Sequence, residues 1–344
     1  MDVSIIIPVY NAEKTLEKLL NSLITSETQV EYEIILVNDG STDNSLKICQ
    51  EYKKQYEFIK VIDQKNGGPS TARNNGIENA EGEFILFCDS DDYVSENMLE
   101  NLFSYEKADL VVYGVVDELW SSERIISEKH HKPIEKKYIS GIEFLEDFHY
   151  LLENNLLYSQ CTKMYRRKII EENRVRFSPD LTMGEDVLFN LSYFHYIETV
   201  QIIPVELYHY VHLVKSSSIT NGYYSGYYEN VCMVLEKQKE LLVEKNVMTK
   251  ENNVSLESYF IGRISSAIQN ELVNRENNLR GKYKKIKRII CSEKAREAQK
   301  NGEPKSFLHR CLRTGIKFQA GIFVFALYGM VYGVKKWIIP LKRR

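Results

Sequence analysis

The chain has no C-x-x-C pair. Its six cysteines, Cys49, Cys88, Cys161, Cys232, Cys291 and Cys311, are scattered over 344 residues. That spacing suggests neither a zinc site nor a redox motif. It also has no G-x-G-x-x-G after its first apolar run, where the turn reads Pro8-Val9-Tyr10-Asn11-Ala12-Glu13 instead. The dinucleotide fingerprint is therefore absent. No basic stretch or cleavage site precedes Val3-Ser4-Ile5-Ile6-Ile7-Pro8, so no signal peptide is expected and a reduced, cytoplasmic location follows. Long apolar runs are missing too. Phe318–Val334 is uncharged for 17 residues, the lower limit for a helix that crosses a bilayer.

Net charge is only −3, but the total hides a split: +15 from residues 280 to 344 and −18 over the rest. An asymmetry of this size points to a polyanionic partner for the C-terminal end, a membrane or a nucleic acid. Basic residues flank the 17-residue segment on both sides (Arg310, Arg313 and Lys317 before it; Lys335, Lys336, Lys342, Arg343 and Arg344 after it). Both ends prefer the same anionic surface, so the segment is expected to hold the chain on a membrane face without crossing it. No nucleic-acid partner is expected, and self-association is left open.

The densest chemistry lies at Phe84-Ile85-Leu86-Phe87-Cys88-Asp89-Ser90-Asp91-Asp92. Five apolar residues without a polar break read as a strand buried on both faces, as in parallel sheets. It runs into three carboxylates within four positions. In open α/β sheets ligands gather beyond the carboxyl ends of the strands. A cluster this dense repels itself unless a cation neutralises it, and oxygen ligands favour Mg²⁺ or Mn²⁺. The alternative is that these acids cap a helix starting near Ser95.

Similar strands are predicted at Val3–Val9, Ile34–Val37, Ile59–Asp63 and Leu110–Val116, with helices between them at Leu16–Leu23 and Thr71–Ala80. Alternation of this kind indicates a doubly wound, mostly parallel α/β sheet. The strand ends repeat a theme. Tyr10 and Asn11 follow the first, Asp39 and Ser41 the second, and the acid cluster the fourth. Each alone is a turn made of good turn residues. Together they suit a nucleotide: a ring to stack on the base, a carboxylate to accept from base or ribose, and a cation for the diphosphate. Arg73, after the Asn66-Gly67-Gly68-Pro69-Ser70 loop, would add a phosphate contact.

I-I-I-P-V-Y-N-A-E, V-N-D-G-S-T-D, G-G-P-S-T-A-R-N-N-G and D-S-D-D, in this order, resemble the signature series of glycosyltransferase family 2 with the GT-A fold. The resemblance covers residues 1–220 as a catalytic domain, leaving 221–344 as a helical C-terminal region. It implies an inverting transferase using a nucleotide-sugar donor, usually a UDP-sugar, and a glycan or lipid-linked acceptor. Pro8, Tyr10, Asn11, Glu13, Asp39 and Ser41 would hold the nucleoside. Gly68 and Arg73 would lie near the donor, Asp89 and Ser90 at the ribose, and Asp91, with Asp89, at a Mn²⁺ or Mg²⁺ ion. The order K-x-Y-R-R at Lys163–Arg167, Phe177, then Gly184-Glu185-Asp186 is similar to a bacterial branch of the family, which implies Asp186 as the base with Glu185 beside it. A first helical turn is also where acids serve only as dipole partners. A segment of the kind at Tyr208–Thr220 often folds over the donor diphosphate in the family, making His212, Lys215 and Ser217 candidates, with His212 or Lys215 in place of the arginine of the commoner Y-x-x-R pattern; a strand followed by a serine-rich loop is an equally good account. Two rivals are a nucleotidyltransferase that makes the nucleotide sugar and a non-catalytic sugar-binding scaffold. Beyond Asn221 no catalytic motif is found, and Tyr223–Tyr228 are expected to pack a helix.

Overall fold

A computed structural model describes the chain apart from residues 25–27, 122–123, 182, 215–222 and 342–344, and for 332–341 the backbone only. Lys215 and Ser217 therefore lie outside the described residues. The chain divides into two compact units, Met1–Leu145 with Asn154–Ser216, and Glu146–Glu153 with Ser217–Arg344.

The first unit opens as a strict alternation: β1 (Val3–Val9), α1 (Leu16–Ile24), β2 (Tyr32–Asp39), α2 (Ser45–Gln55), β3 (Ile59–Gln64), α3 (Pro69–Glu78) and β4 (Phe84–Phe87). These four strands are parallel in the order β3-β2-β1-β4. Their apolar runs are buried on both faces because α1 to α3 cover the sheet. Leu16, Leu19, Leu20 and Leu23 are the buried stripe of α1. Gly76 lets α3 approach closely, since a Cβ there would sit 2.3 Å from Ile6.

After the acidic run the pattern changes. β5 (Tyr93–Val94), α4 (Met98–Phe103), β6 (Leu110–Ser121), β7 (Arg124–His131), β8 (Lys136–Tyr138) and α5 (Gly141–Glu146) come first. The short α6 (Phe148–Glu153), which belongs to the second unit, intervenes before β9 (Lys163–Arg166), α7 (Arg167–Glu172), α8 (Glu185–Phe194) and β10 (Val200–Leu213). β9 enters between β4 and β6, antiparallel to both. β6 and β10 run parallel. β5, β7 and β8 pair antiparallel with their neighbours. The sheet is thus mostly parallel, and the doubly wound expectation needs one amendment: the half beyond β4 is mixed. The helix near Ser95 starts later, at Met98, and its N-cap is Asn97 in the left-handed region with no side-chain cap bond. The acids at 89–92 do not cap it.

The second unit adds to α6 six helices: α9 (Tyr227–Glu244), α10 (Lys250–Val273), α11 (Leu279–Ile290), α12 (Glu293–Asn301), α13 (Phe307–Lys317) and α14 (Gly321–Leu341). Side chains cap four of them, Thr249, Asn278, Ser292 and Ser306 each accepting from the backbone N–H three residues on. Such a bond satisfies one of the donors a helix start leaves open. Helix α10 is the centre, with Leu256, Phe260, Ile264 and Ile268 fully buried at four-residue spacing. Helices α11 to α14 close around it with Ile286, Ile290, Leu312, Ile316, Val324 and Tyr328. The tyrosines of 223–228 are engaged inside this unit: Tyr224 with Asn270, Tyr227 with Arg263 and Tyr228 with Ser292. Among the described residues no helix is long and apolar enough to cross a membrane.

Candidate active site

The carboxyl ends of β1 and β2 are laced together. Asn11 takes a positive φ of 51°, and its Oδ1 accepts from the Thr42 N–H at 2.8 Å while its own N–H donates to Ser41 Oγ at 3.1 Å. Glu13 accepts from the backbone and side chain of Asn44 at 3.1 and 2.9 Å. Asp39 is buried and grips the glycine loop, accepting from the N–H groups of Gly67 and Gly68 at 2.8 Å each and from Gln64 at 2.8 Å. Asn11, Glu13, Asp39 and Ser41 therefore hold the loops at these strand ends together. Tyr10, next to Asn11 in the chain, is 52% exposed, while Pro8 lies in β1 opposite Val37.

Arg73 is the hub. It projects from α3, is buried, and donates through Nη2 to Asp89 at 2.8 Å and through Nη1 to Asp186 at 3.3 Å, with Glu185 at 4.0 Å. Burial alone would lower its pKa, but the carboxylates of Asp89 and Asp186 more than reverse this, so it stays charged. Its neighbour Asn74 exchanges two hydrogen bonds with the Phe177 backbone, at 2.8 and 2.9 Å, which brings the Phe177 ring under the guanidinium at 5.3 Å. Asp186 enters from the other side because Gly184, at φ 86°, turns the chain directly into α8. Desolvation pushes the Asp186 carboxyl up to about 7 against the pull of Arg73. Lys163, fully buried at the start of β9, donates to the Ser159 carbonyl at 2.6 Å. Burial brings its amine down to about 7, with Asp186 pulling the other way.

The acidic loop is fixed at its far end. Tyr208 accepts from the Asp89 N–H at 3.0 Å and donates to Asp92 Oδ2 at 2.7 Å, and the Val211 N–H reaches Asp92 Oδ1 at 2.8 Å. Asp92 is buried and raised well above the usual carboxylate range, first by burial and then by Asp91 and Asp89. Asp91 keeps an exposed edge, yet partial desolvation of its carboxyl and then the Asp89 charge raise it, while His212 and Arg73 lower it. Ser90 is half-buried between the two acids. The pairing of β5 with β10 rests on buried Glu118, which accepts from Tyr93 Oη at 2.6 Å, Trp120 Nε1 at 2.7 Å and His209 Nδ1 at 2.7 Å.

Of the residues singled out in the sequence, Arg73, Asp89, Glu185 and Asp186 come into one cluster, with Asp91 and His212 at its exposed side. Tyr10, Asn11, Glu13, Asp39, Ser41 and Gly68 line the neighbouring strand ends. Gln160, Lys163, Tyr208 and Asp92 are given no role by the sequence, although Lys163 stands inside a quoted motif, Tyr208 at the start of a quoted segment and Asp92 inside the acid run. Gln160 carries no pattern that sequence reading detects.

Residues 4–174 match the profile of Glycosyl transferase family 2. The chain is 37% identical over 212 residues to "Uncharacterized glycosyltransferase EpsJ" of Bacillus subtilis (strain 168), covering 60% of each. It is 30% identical over 302 residues to "Putative glycosyltransferase EpsH" of the same strain, covering 85% of this chain and 83% of that one. A third relative is "Poly(ribitol-phosphate) beta-N-acetylglucosaminyltransferase TarS" of Staphylococcus aureus (strain Mu50), 29% identical over 230 residues. The match spans 60% of EpsJ and only 38% of TarS. The crystal structure of S. aureus TarS 1-349 in complex with UDP superposes with a TM-score of 0.62 at 19% identity, covering 97% of this chain and 92% of that one. That likeness shows the GT-A fold.

Proposed function

The chain belongs to glycosyl transferase family 2, and from that premise we propose that it moves a sugar from a UDP-sugar to a hydroxyl of a glycan or lipid-linked acceptor in cell-surface polysaccharide synthesis, inverting the anomeric centre. The observation that carries this reading is Arg73 joining Asp89, at the end of β4, to Asp186, at the start of α8. On this reading a leaving-group side and a base side meet at one arginine. The UDP complex of TarS, on the same fold, supports the choice of donor.

In a single in-line displacement the acceptor oxygen bonds to the anomeric carbon as the bond from that carbon to the diphosphate breaks. The electron pair leaves with UDP. Asp186 takes the acceptor proton. Arg73 offers fixed positive charge to the diphosphate, aimed before the reaction begins. Tyr10 supplies a ring face for the base, and the loops held by Asn11, Glu13 and Asp39 shape its slot. No covalent sugar intermediate is required.

A divalent cation fits this donor set. Burial first and the Asp89 charge second raise Asp91, only partly offset by His212 and Arg73, and a cation there would relieve both. Among the described residues no trio of His, Cys, Asp or Glu could hold a metal alone. Asp91, with Asp89, would hold Mn²⁺ or Mg²⁺ together with the donor phosphates, as Mg²⁺ sites commonly do. Such an ion would neutralise charge on the departing diphosphate.

On this reading the chain works at the inner, anionic face of a membrane. On α11, Arg280, Lys284, Lys287 and Arg288 share one exposed face, opposite buried Ile286, Ile289 and Ile290. On α14, Ile322 (76% exposed), Ala326, Gly329 and Met330 (64% exposed) form an uncharged face opposite buried Val324 and Tyr328. The two helices adjoin: a methyl group at Gly321 would touch the Lys287 stem at 3.4 Å. A basic stripe beside an apolar one suits an anionic bilayer surface. A polyanionic acceptor would engage the basic stripe and leave the apolar one without a role.

The test is thermal stabilisation by UDP, UDP-N-acetylglucosamine and UDP-glucose, each with Mn²⁺ and with EDTA. Wild type should be stabilised by at least UDP, more with Mn²⁺. Asp91→Asn should lose the response to EDTA while keeping its fold. Stabilisation by a nucleoside triphosphate with a sugar 1-phosphate, and not by UDP, would favour the nucleotidyltransferase. An unchanged EDTA response in Asp91→Asn would remove Asp91 from the metal.

A further inference from the structure

Gln160 is buried at the first position of the 3-10 turn Gln160–Thr162, which leads straight into β9. Strand β9 runs antiparallel to β4 with Leu86 opposite Met164. The residues preceding Lys163 must therefore overrun the carboxyl end of β4, where the acids begin. Topology alone sets the turn beside Asp89. The turn is rigid: Ser159 Oγ accepts from the Cys161 N–H at 3.0 Å, and Lys163 Nζ ties back to the Ser159 carbonyl at 2.6 Å.

An amide oxygen facing a carboxylate is repulsive, so the Gln160 carboxamide sits with its nitrogen toward Asp186, an orientation assigned from its hydrogen-bond partners. It then donates to Asp186 Oδ1 and Oδ2 at 3.1 and 3.0 Å, and its oxygen accepts from Arg73 Nη2 at 3.0 Å. Arg73 Nη1 also reaches Oδ1, at 3.3 Å. Oδ1 thus has two donors. Oδ2 has one among the described residues, and so keeps a lone pair free.

We propose that Gln160 is a positioning residue for the base: its carboxamide fixes the plane of the Asp186 carboxylate and ties it to Arg73, leaving Oδ2 as the atom that receives the acceptor proton. The proposal rests on Asp186 being the base. In this role Gln160 acts through its contacts to Asp186 and Arg73. A carboxylate that loses an N–H donor holds its proton more tightly. A base tilted from its best geometry also loses rate, by as much as 10²-fold for a displacement of about 1 Å.

The full-length chain carrying Gln160→Met, nearly isosteric and without the donor, and Gln160→Glu, the same shape without it, test this. The first readout is carbon-13 titration of aspartate carboxyls, with the Asp186 signal identified by its loss in Asp186→Asn. Gln160→Met should raise the Asp186 titration by about one pH unit, the worth of roughly one lost hydrogen bond, and Gln160→Glu should raise it further. The second readout is UDP release from UDP-N-acetylglucosamine or UDP-glucose in water. The maximal rate should fall about 10–100-fold, with UDP affinity within about threefold of wild type and the acid limb moved up in pH. An Asp186 titration unchanged in both variants overturns the proposal, as does a loss confined to UDP affinity. If Asp186→Asn itself keeps releasing UDP, the base assignment fails, and that is read separately from the titration.

Discussion

The α/β unit and the helical unit differ in where most of their charge is concentrated. In the first, charged groups are gathered inward and matched: Arg73 against Asp89 and Asp186, Arg166 against Glu83 and Asp109, Glu118 against three donors. In the second, side-chain oxygens cap the helices, mostly apolar side chains fill the middle around the ion pair of buried Glu257 with Lys239, and cations stand outward on α11. Concentrated, paired charge belongs with chemistry, because a desolvated group has a shifted pKa and a fixed direction. Dispersed cations of one sign belong with adhesion to a polyanion. Reaction and attachment should therefore be separable by mutation.

The largest effect is expected in the first unit. Asp186→Asn keeps the size of the side chain and removes the base, so UDP release should drop by roughly 10²–10⁴, the usual range for general base catalysis. UDP affinity and flotation with anionic vesicles should persist. A variant that keeps most of its rate would move the base elsewhere, with Glu185, 4.0 Å from Arg73, next in line.

A smaller effect is expected in the second. Replacing Arg280, Lys284, Lys287 and Arg288 together by Gln removes four cations worth on the order of 1 kcal/mol each near anionic lipid. Binding to phosphatidylserine-containing vesicles at low salt should weaken by about 10²-fold or more, with UDP release unchanged. If wild type ignores such vesicles, or if the exposed α14 face instead buries itself in a dimer seen by sedimentation, the membrane assignment fails. Truncation is not a clean substitute for these point changes. Leu312, Ile316, Val324 and Tyr328 lie in the core around α10, so cutting after Gly302 would strip core as well as surface.

The two units also differ in how much could be read beforehand. Strands β1 to β4 and the site residues at their ends follow from local runs: an apolar stretch, then a turn or an acid. The entry of β9 between β4 and β6 does not, because its four residues carry no more pattern than a loop would. Gln160 is hidden for the same reason. It is a polar residue whose partners arrive from α3 and α8, and the Arg73–Asp186 contact itself spans 113 positions. Asp39 was legible as a strand-end acid, but its bonds to Gly67 and Gly68 were not. In the helical unit the charge split and the apolar segment were plain. The division of α14 into a buried face and an exposed face was invisible, since both are apolar and only packing separates them.

The most direct test of Asp186 as a base tuned by its surroundings is the pH profile of UDP release by the wild-type chain at saturating UDP-sugar. Desolvation outweighs Arg73 and lifts this carboxyl from an ordinary value of 3.8 to about 7. A base must be ionised to act, so the rate should rise about tenfold per pH unit below 7 and level off above it. This limb belongs to Asp186 together with the buried groups that titrate beside it. A rate already level at pH 5, as an unperturbed carboxylate would give, would contradict the assignment.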